Sequence, residues 1–173
     1  DIIVVTKSPT VLSPIEIRRI EDSLKPLPHQ KIYFSFINYL SLRPLNESAR
    51  ILEQSHMELC KYGVLLVTAI ANPIPVNFYL KRYVKELHEL KFRDHHFFNS
   101  SDYKKIRDKL DTILGSKKLI VITEKDAMRF EPSKVEDIPL FYLPIGVSFH
   151  ANGEEKLMSH IKEYLSTYHT NSR

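Results

Sequence analysis

Glycine is scarce in this chain of 173 residues: Gly63, Gly115, Gly146 and Gly153 are the whole supply. A Walker A loop needs clustered glycines so that backbone N–H groups can wrap a phosphate chain, and a dinucleotide turn needs Gly-x-Gly-x-x-Gly. Neither can be assembled here, nor can the Gly-x-Ser-x-Gly elbow of a serine hydrolase. Cysteine occurs once, at Cys60, which excludes an internal disulfide framework and a multi-cysteine zinc site. A lone thiol of this kind is expected to be a buried or half-buried small hydrophobe, and such sparse use of cysteine fits a reducing compartment. Long apolar runs are missing as well. The longest, Gly63 to Ile70, has strand length and falls far short of the roughly 20 residues that span a bilayer. No signal-peptide pattern opens the chain, which runs from Asp1 straight into Ile2-Ile3-Val4-Val5. A start inside an apparent strand reads as a cut boundary, and the chain as a piece of a longer protein.

What is present is ordinary globular material. Hydrophobic residues make up 43% and charged residues 27%, enough for one domain with a real core. The net charge of +4 mildly favours anionic partners such as phosphates or a membrane surface. Lys and Arg are spread along the chain rather than gathered in a stripe, so no nucleic-acid partner is read from them.

Short β-branched runs alternate with amphipathic stretches, the pattern of an α/β fold with a mostly parallel sheet. Ile2–Thr6 reads as a strand buried on both faces. Ser13-Pro14-Ile15-Glu16 is a capping box with Pro at the first helical position, opening a helix that carries Ile17, Ile20 and Leu24 inward and ends by Pro26. Lys31–Phe36 is the next strand, followed by a helical stretch from Asn46 to Lys61 and a strand from Gly63 to Ile70. Pro75–Leu87 fits a helix and Glu89–Phe92 a short strand. Ser100 is placed as the cap of a helix through Leu114, with Gly115 closing it. Leu119–Thr123, Leu140–Leu143 and Val147–Phe149 read as further β structure. Asn152 caps a last helix with Leu157, Met158, Ile161, Tyr164, Leu165 and Tyr168 on one stripe; Thr170–Arg173 are expected to fray.

Three polar clusters stand where predicted strands stop: Ala71-Asn72-Pro73, Asp94-His95-His96 and Thr123-Glu124-Lys125-Asp126. In open α/β sheets ligands bind outside the carboxyl ends of the strands, so parallel strands would bring the three to one rim. Asp94 beside His95 suits a general base, or a metal site if more ligands join, because a carboxylate orients an imidazole and raises its basicity. In an extended segment His95 and His96 point to opposite sides, so at most one faces a site. Thr123 to Asp126 offers a hydroxyl, two carboxylates and an ammonium, suited to anions at a helix start. Its plain alternative is a capping box from Thr123 to Asp126. Asn72-Pro73 is first of all a helix cap, and the scattered His29, His56, His88, His150, His160 and His169 are placed on the surface.

The order and spacing of Ile3-Val4-Val5-Thr6-Lys7, Leu12-Ser13-Pro14, Leu66 to Pro73, Phe92-Arg93-Asp94-His95-His96-Phe97, Ile122 to Arg129 and Leu143-Pro144-Ile145 resemble the C-terminal region of the tetraacyldisaccharide 4'-kinase family, in a Bacteroidetes-like style. Ala69 departs from the family, which usually has Gly there. The resemblance implies a three-layer α/β/α sandwich forming the C-terminal lobe of a P-loop-type kinase over residues 1–173. Within it, 1–45 would include linker or interlobe elements and 152–170 the C-terminal helix. It implies transfer of the γ-phosphoryl of ATP, with Mg2+, to the 4'-hydroxyl of a tetraacylated disaccharide 1-phosphate in lipid A biosynthesis. The reaction would take place at the cytoplasmic face of the bacterial inner membrane. The phosphate loop, a catalytic Asp and the metal-binding acidic pair would belong to an N-terminal lobe, so this piece alone would be inactive and hold no metal. By resemblance His95 pairs with that Asp, Asp94 holds the imidazole, and Thr123, Glu124, Lys125 and Asp126, with Asn72, lie near the nucleotide cleft or support it. Separated from its partner lobe, the piece is expected to expose an apolar patch to which the last helix contributes. The alternatives are a metal-dependent phosphoesterase built on Asp-His-His and a non-catalytic binding module.

Overall fold

Gly63–Thr68 (β4) is buried along its whole length in the computed structural model, which describes residues 1–54 and 58–170, the side chains of 167–170 excepted. Leucine and β-branched side chains on both faces leave no side for water, so such a strand belongs inside a sheet. It lies in one of five strands, ordered β3-β7-β6-β4-β5, with β3 at Arg43–Pro44, β5 at Glu86–Lys91, β6 at Lys118–Thr123 and β7 at Leu140–Leu143. β4 runs parallel to β5 and β6, and β6 parallel to β7; the two-residue β3 is antiparallel to β7.

Alternation along β4 feeds two cores. Leu65 and Val67 pack with Ile106 and Leu110 of α4 (Ser100–Asp111) and with Phe98 and Phe130. Val64 and Leu66 pack with Ala49 of α2 (Glu47–Gln54) and with Val76 and Leu80 of α3 (Ile74–Leu80). Helices cover both faces, so the expected three-layer α/β/α arrangement is present over Tyr39–Pro144, one of two compact units in the chain. Each fully buried aliphatic side chain in these layers contributes about 1.5–3 kcal/mol. A Cβ on Gly63 would meet Ile113 Cγ2 at 2.5 Å, so the approach of β4 to the segment after α4 requires glycine there.

The other unit comprises Asp1–Asn38 and Ile145–Arg173. Its sheet has the order β1-β2-β8, with β1 at Ile2–Val5, β2 at Lys31–Tyr39 and β8 at Ile145–Phe149, and β1 is parallel to β2. α1 (Pro14–Leu24) carries the expected capping box: Ser13 Oγ accepts from the Glu16 N–H, and Glu16 accepts from the Ser13 N–H. Lys25 closes the helix in the left-handed conformation. α6 spans Gly153–Thr170. Among the described side chains of this unit, Tyr33, Phe34, Ser35 and Gly153 alone are buried.

Several expectations are corrected here. β1 is an edge strand, not one buried on both faces: Ile2 and Val4 are exposed. Leu24 is exposed, and Ile17 and Ile20 are only half-buried. The helix expected over Pro75–Leu87 stops at Leu80, because Glu86–Lys91 pairs residue for residue with Gly63–Thr68 and tertiary pairing overrides a weak local preference. The cap of α4 is Asn99, not Ser100, and Leu114 lies exposed beyond the helix end. Cys60 is exposed. Expectations placed on His56, on the side chains of Tyr168 and His169, and on 171–173 lie outside the described residues.

Candidate active-site rim

Because β4, β5 and β6 are parallel, the segments that follow them leave from one rim of the sheet. The order β6-β4-β5 places the segment after β5 and the segment after β6 on either side of the end of β4. Three side chains meet there. Lys125 Nζ lies 3.3 Å from His95 Nε2 and 3.5 Å from Asp94 Oδ1, and Asp94 Oδ2 is 3.7 Å from His95 Nε2. The lysine ammonium can only donate and the carboxylate can only accept, so Nε2 accepts from Lys125 or donates to Asp94 according to which ring nitrogen carries the proton.

His95 sits in the left-handed region at φ 59°, a conformation that costs a residue with a Cβ about 1–2 kcal/mol. Its backbone N–H holds it there by donating to Ala69 O (3.2 Å) and to Asp94 Oδ1 (3.0 Å). Strain of this sort accumulates where a side chain must be aimed. The His95 side chain is 70% exposed, free to reach a group beyond the rim. Partial burial pushes the Asp94 carboxyl up, but the His95 imidazole, the Lys125 ammonium and the His95 N–H outweigh it and hold the carboxyl below its ordinary range. Asp94 is therefore a carboxylate under ordinary conditions, positioned by two neighbours.

Behind this trio lies a buried knot. Thr123 caps α5 (Glu124–Ala127) by accepting from the Asp126 N–H, and its hydroxyl donates to Asp126 Oδ2 at 2.7 Å. The same carboxylate, with no exposure at all, accepts from the Ala69 N–H at 3.0 Å and from Arg129 at 2.7 Å. Arg129 also reaches Ala69 O at 3.4 Å. Ala69 is wholly buried, its Cβ accommodated. Thr123 and Asp126 fix the strand ends, while Lys125 faces out.

Glu124 is exposed. Asn72 is exposed and accepts from the Ile74 N–H at 3.2 Å, a local turn before α3; no described contact brings it to the trio. His96 turns the other way from His95 and bonds Asp102 Oδ2 at 2.7 Å. Sequence reasoning passed over Arg129 and the His96–Asp102 pair as site components; the Asn99-Ser100-Ser101-Asp102 capping-box spacing was the available signal for the second. Among the described residues no cluster of three or more His, Cys, Asp or Glu side chains is arranged to hold a metal ion.

Comparison with known proteins bears on this rim. The family model of LpxK, tetraacyldisaccharide-1-P 4'-kinase, matches residues 15–165. The tetraacyldisaccharide 4'-kinase of Bacteroides thetaiotaomicron is 36% identical over 99% of this chain and 48% of its own length. That of Phocaeicola vulgatus is 31% identical, again over 99% and 48%. A solved LpxK from Aquifex aeolicus in complex with ATP shares 18% identity at a TM-score of 0.44, covering 94% of this chain and 51% of that one. The chain spans about half the length of the curated relatives it matches. With a model matching most of its residues and relatives aligned over nearly all of them, the chain belongs to the tetraacyldisaccharide 4'-kinase family.

Proposed function

We propose that this chain is the C-terminal part of a kinase that moves the γ-phosphoryl of ATP to the 4'-hydroxyl of a tetraacyldisaccharide 1-phosphate, a step of lipid A biosynthesis. The observation that carries the reading is the Asp94–His95–Lys125 trio at the carboxyl rim, with His95 aimed outward from a strained turn. Phosphoryl transfer asks for positioning and charge stabilisation more than for covalent chemistry. The acceptor hydroxyl must lose its proton as its oxygen bonds the γ-phosphorus and the bond to the leaving ADP breaks. His95, largely exposed at the rim, is suited to donate a ring N–H to the carboxylate that takes this proton from across a cleft. Asp94 and Lys125 keep the ring in place.

The rest of the machinery lies outside this chain. Four dispersed glycines build no phosphate loop, and the described carboxylates do not gather into a Mg2+ site, so Mg2+ does not fit the described residues. ATP and the ion would be held by an N-terminal P-loop lobe, which is the partner this chain requires. The core-poor unit, with Ile2, Val4, Ile145, Val147, Met158 and Leu165 exposed, supports such a covering. No described helix is long and apolar enough to cross a membrane, and a peripheral position at the cytoplasmic face of the inner membrane suits a lipid substrate.

The test is His95→Ala in the full-length protein. Turnover is expected to fall about 10²- to 10⁴-fold, the usual weight of a proton-transfer group, with the KM for ATP little changed. Near wild-type turnover would overturn the assignment. The 173-residue chain alone is expected to transfer no phosphoryl group.

A further inference from the structure

We propose that His96 is the positioning residue for His95: its bond to the buried Asp102 locks the turn that presents its neighbour at the rim. The inference rests on the proposed role of His95. The turn runs from Phe92, whose N–H donates to Thr68 O at 2.8 Å, to Asn99, the cap of α4. Between these fixed ends the backbone closes through His96 N–H to Arg93 O at 3.2 Å, which leaves His95 at the left-handed corner. The His95 N–H, bonded to Ala69 O and Asp94 Oδ1, secures the entry to that corner, and the residues that follow must secure its exit.

His96 is built to do so. Its ring stacks on Phe92 with centroids 4.9 Å apart and planes 14° apart, and meets Phe98 edge-on at 5.5 Å. Phe98 in turn packs on Phe130 and Tyr103, so the turn is stacked onto the core of the sandwich. Nε2 bonds Asp102 Oδ2 at 2.7 Å, with the two side chains 18% and 3% exposed. That carboxylate also accepts from the Asn99 N–H at 3.1 Å, and its other oxygen from Lys105 at 3.1 Å. One imidazole therefore joins the turn to the aromatic stack and to the helix start together. Phe would keep the stacking and lose the bond; Asn would do the reverse. The residue that stacks and bonds at once is the one that fixes the turn, and with it the direction of His95.

The experiment compares His96→Phe and Asp102→Asn, singly and together, with His95→Ala, all in the full-length protein. Amide hydrogen exchange over 93–96 and steady-state kinetics are read on each. Both single variants are expected to speed exchange of the turn and to lower kcat about 10- to 100-fold, as a misplaced group does, with the KM for ATP unchanged. The double variant is expected to be no worse than the worse single one, since the two side chains act as a pair. A merely structural role would lower Tm and leave kcat of the folded protein intact. Unchanged exchange in His96→Phe overturns the lock, with the reading of His95 untouched; Asp102→Asn supplies the same readout if His96→Phe does not fold. Faster exchange with unchanged kcat, while His95→Ala is inactive, overturns the positioning role. Full turnover in His95→Ala overturns the reading of the rim and with it the purpose assigned to His96.

Discussion

Asp102 is the residue on which the most local structure converges, and its titration is the cheapest thing to measure. Burial pushes its carboxyl up, but hydrogen bonds from His96, the Asn99 N–H and Lys105 outweigh that and hold it below the ordinary value. An aspartate in an unfolded chain titrates near about 3.9. With the folded value lower, the stabilisation by ionised Asp102 is complete above the unfolded value and is lost as pH falls through the folded one. Asp102→Asn is therefore expected to flatten the decline of unfolding free energy below about pH 4, measured by urea unfolding at a series of pH values. An unaltered slope would place that decline on other carboxylates. Only part of this was readable from the chain: the Asn99 to Asp102 spacing signals a cap and Asp94-His95-His96 two diverging imidazoles, but the choice between them depends on a backbone corner and on ring partners outside the triplet.

Among the elements, legibility followed burial pattern. β4 and β6 were clear because continuous apolar runs of that length have no other home, and α1 because its capping box is local chemistry. The boundary between α3 and β5 was not, since Val84 and Leu87 satisfy either period and only pairing with β4 decides. The rim itself followed from strand direction, once the strands were taken as parallel. What joins the ends of β4 and β6 was half hidden: Asp126 read as a cap, yet its carboxylate also binds the Ala69 N–H at the end of the neighbouring strand, and Arg129 three residues on. Asp126→Ala is expected to cost about 3–5 kcal/mol, because it leaves a largely buried guanidinium without its counter-charge. Chemical denaturation reads this directly. A loss under about 1 kcal/mol would mean that Arg129 finds water instead.

At the scale of the molecule, the two units differ in what they have to fold with. Tyr39–Pro144 carries two packed cores on one sheet. The unit of Asp1–Asn38 and Ile145–Arg173 buries four residues among its described side chains and leaves apolar residues of β1, β8 and α6 in the open. Local opening is easiest where buried apolar contacts are few. Hydrogen exchange on the isolated chain is expected to show β1, β2 and β8 exchanging well before β4 and β6; equal protection would show that the sparse unit is held by more than its own core. Adding the N-terminal half should slow the first set and leave the second unchanged.

The bond from Leu40 N–H to Pro144 O, at 3.0 Å, ties together the two ends of the segment Tyr39–Pro144. Seen from the neighbouring strands β2 and β8, everything between them is one long connection whose ends arrive already joined. The closure entropy of so long an excursion falls inside the inserted unit, where two cores offset it. Such a module tolerates growth, loss or exchange of its interior without disturbing the host sheet, as insertions with adjacent ends generally do. The rim lies wholly within that module, so changes in its length or composition are expected to fall on the rim before they reach β2 or β8.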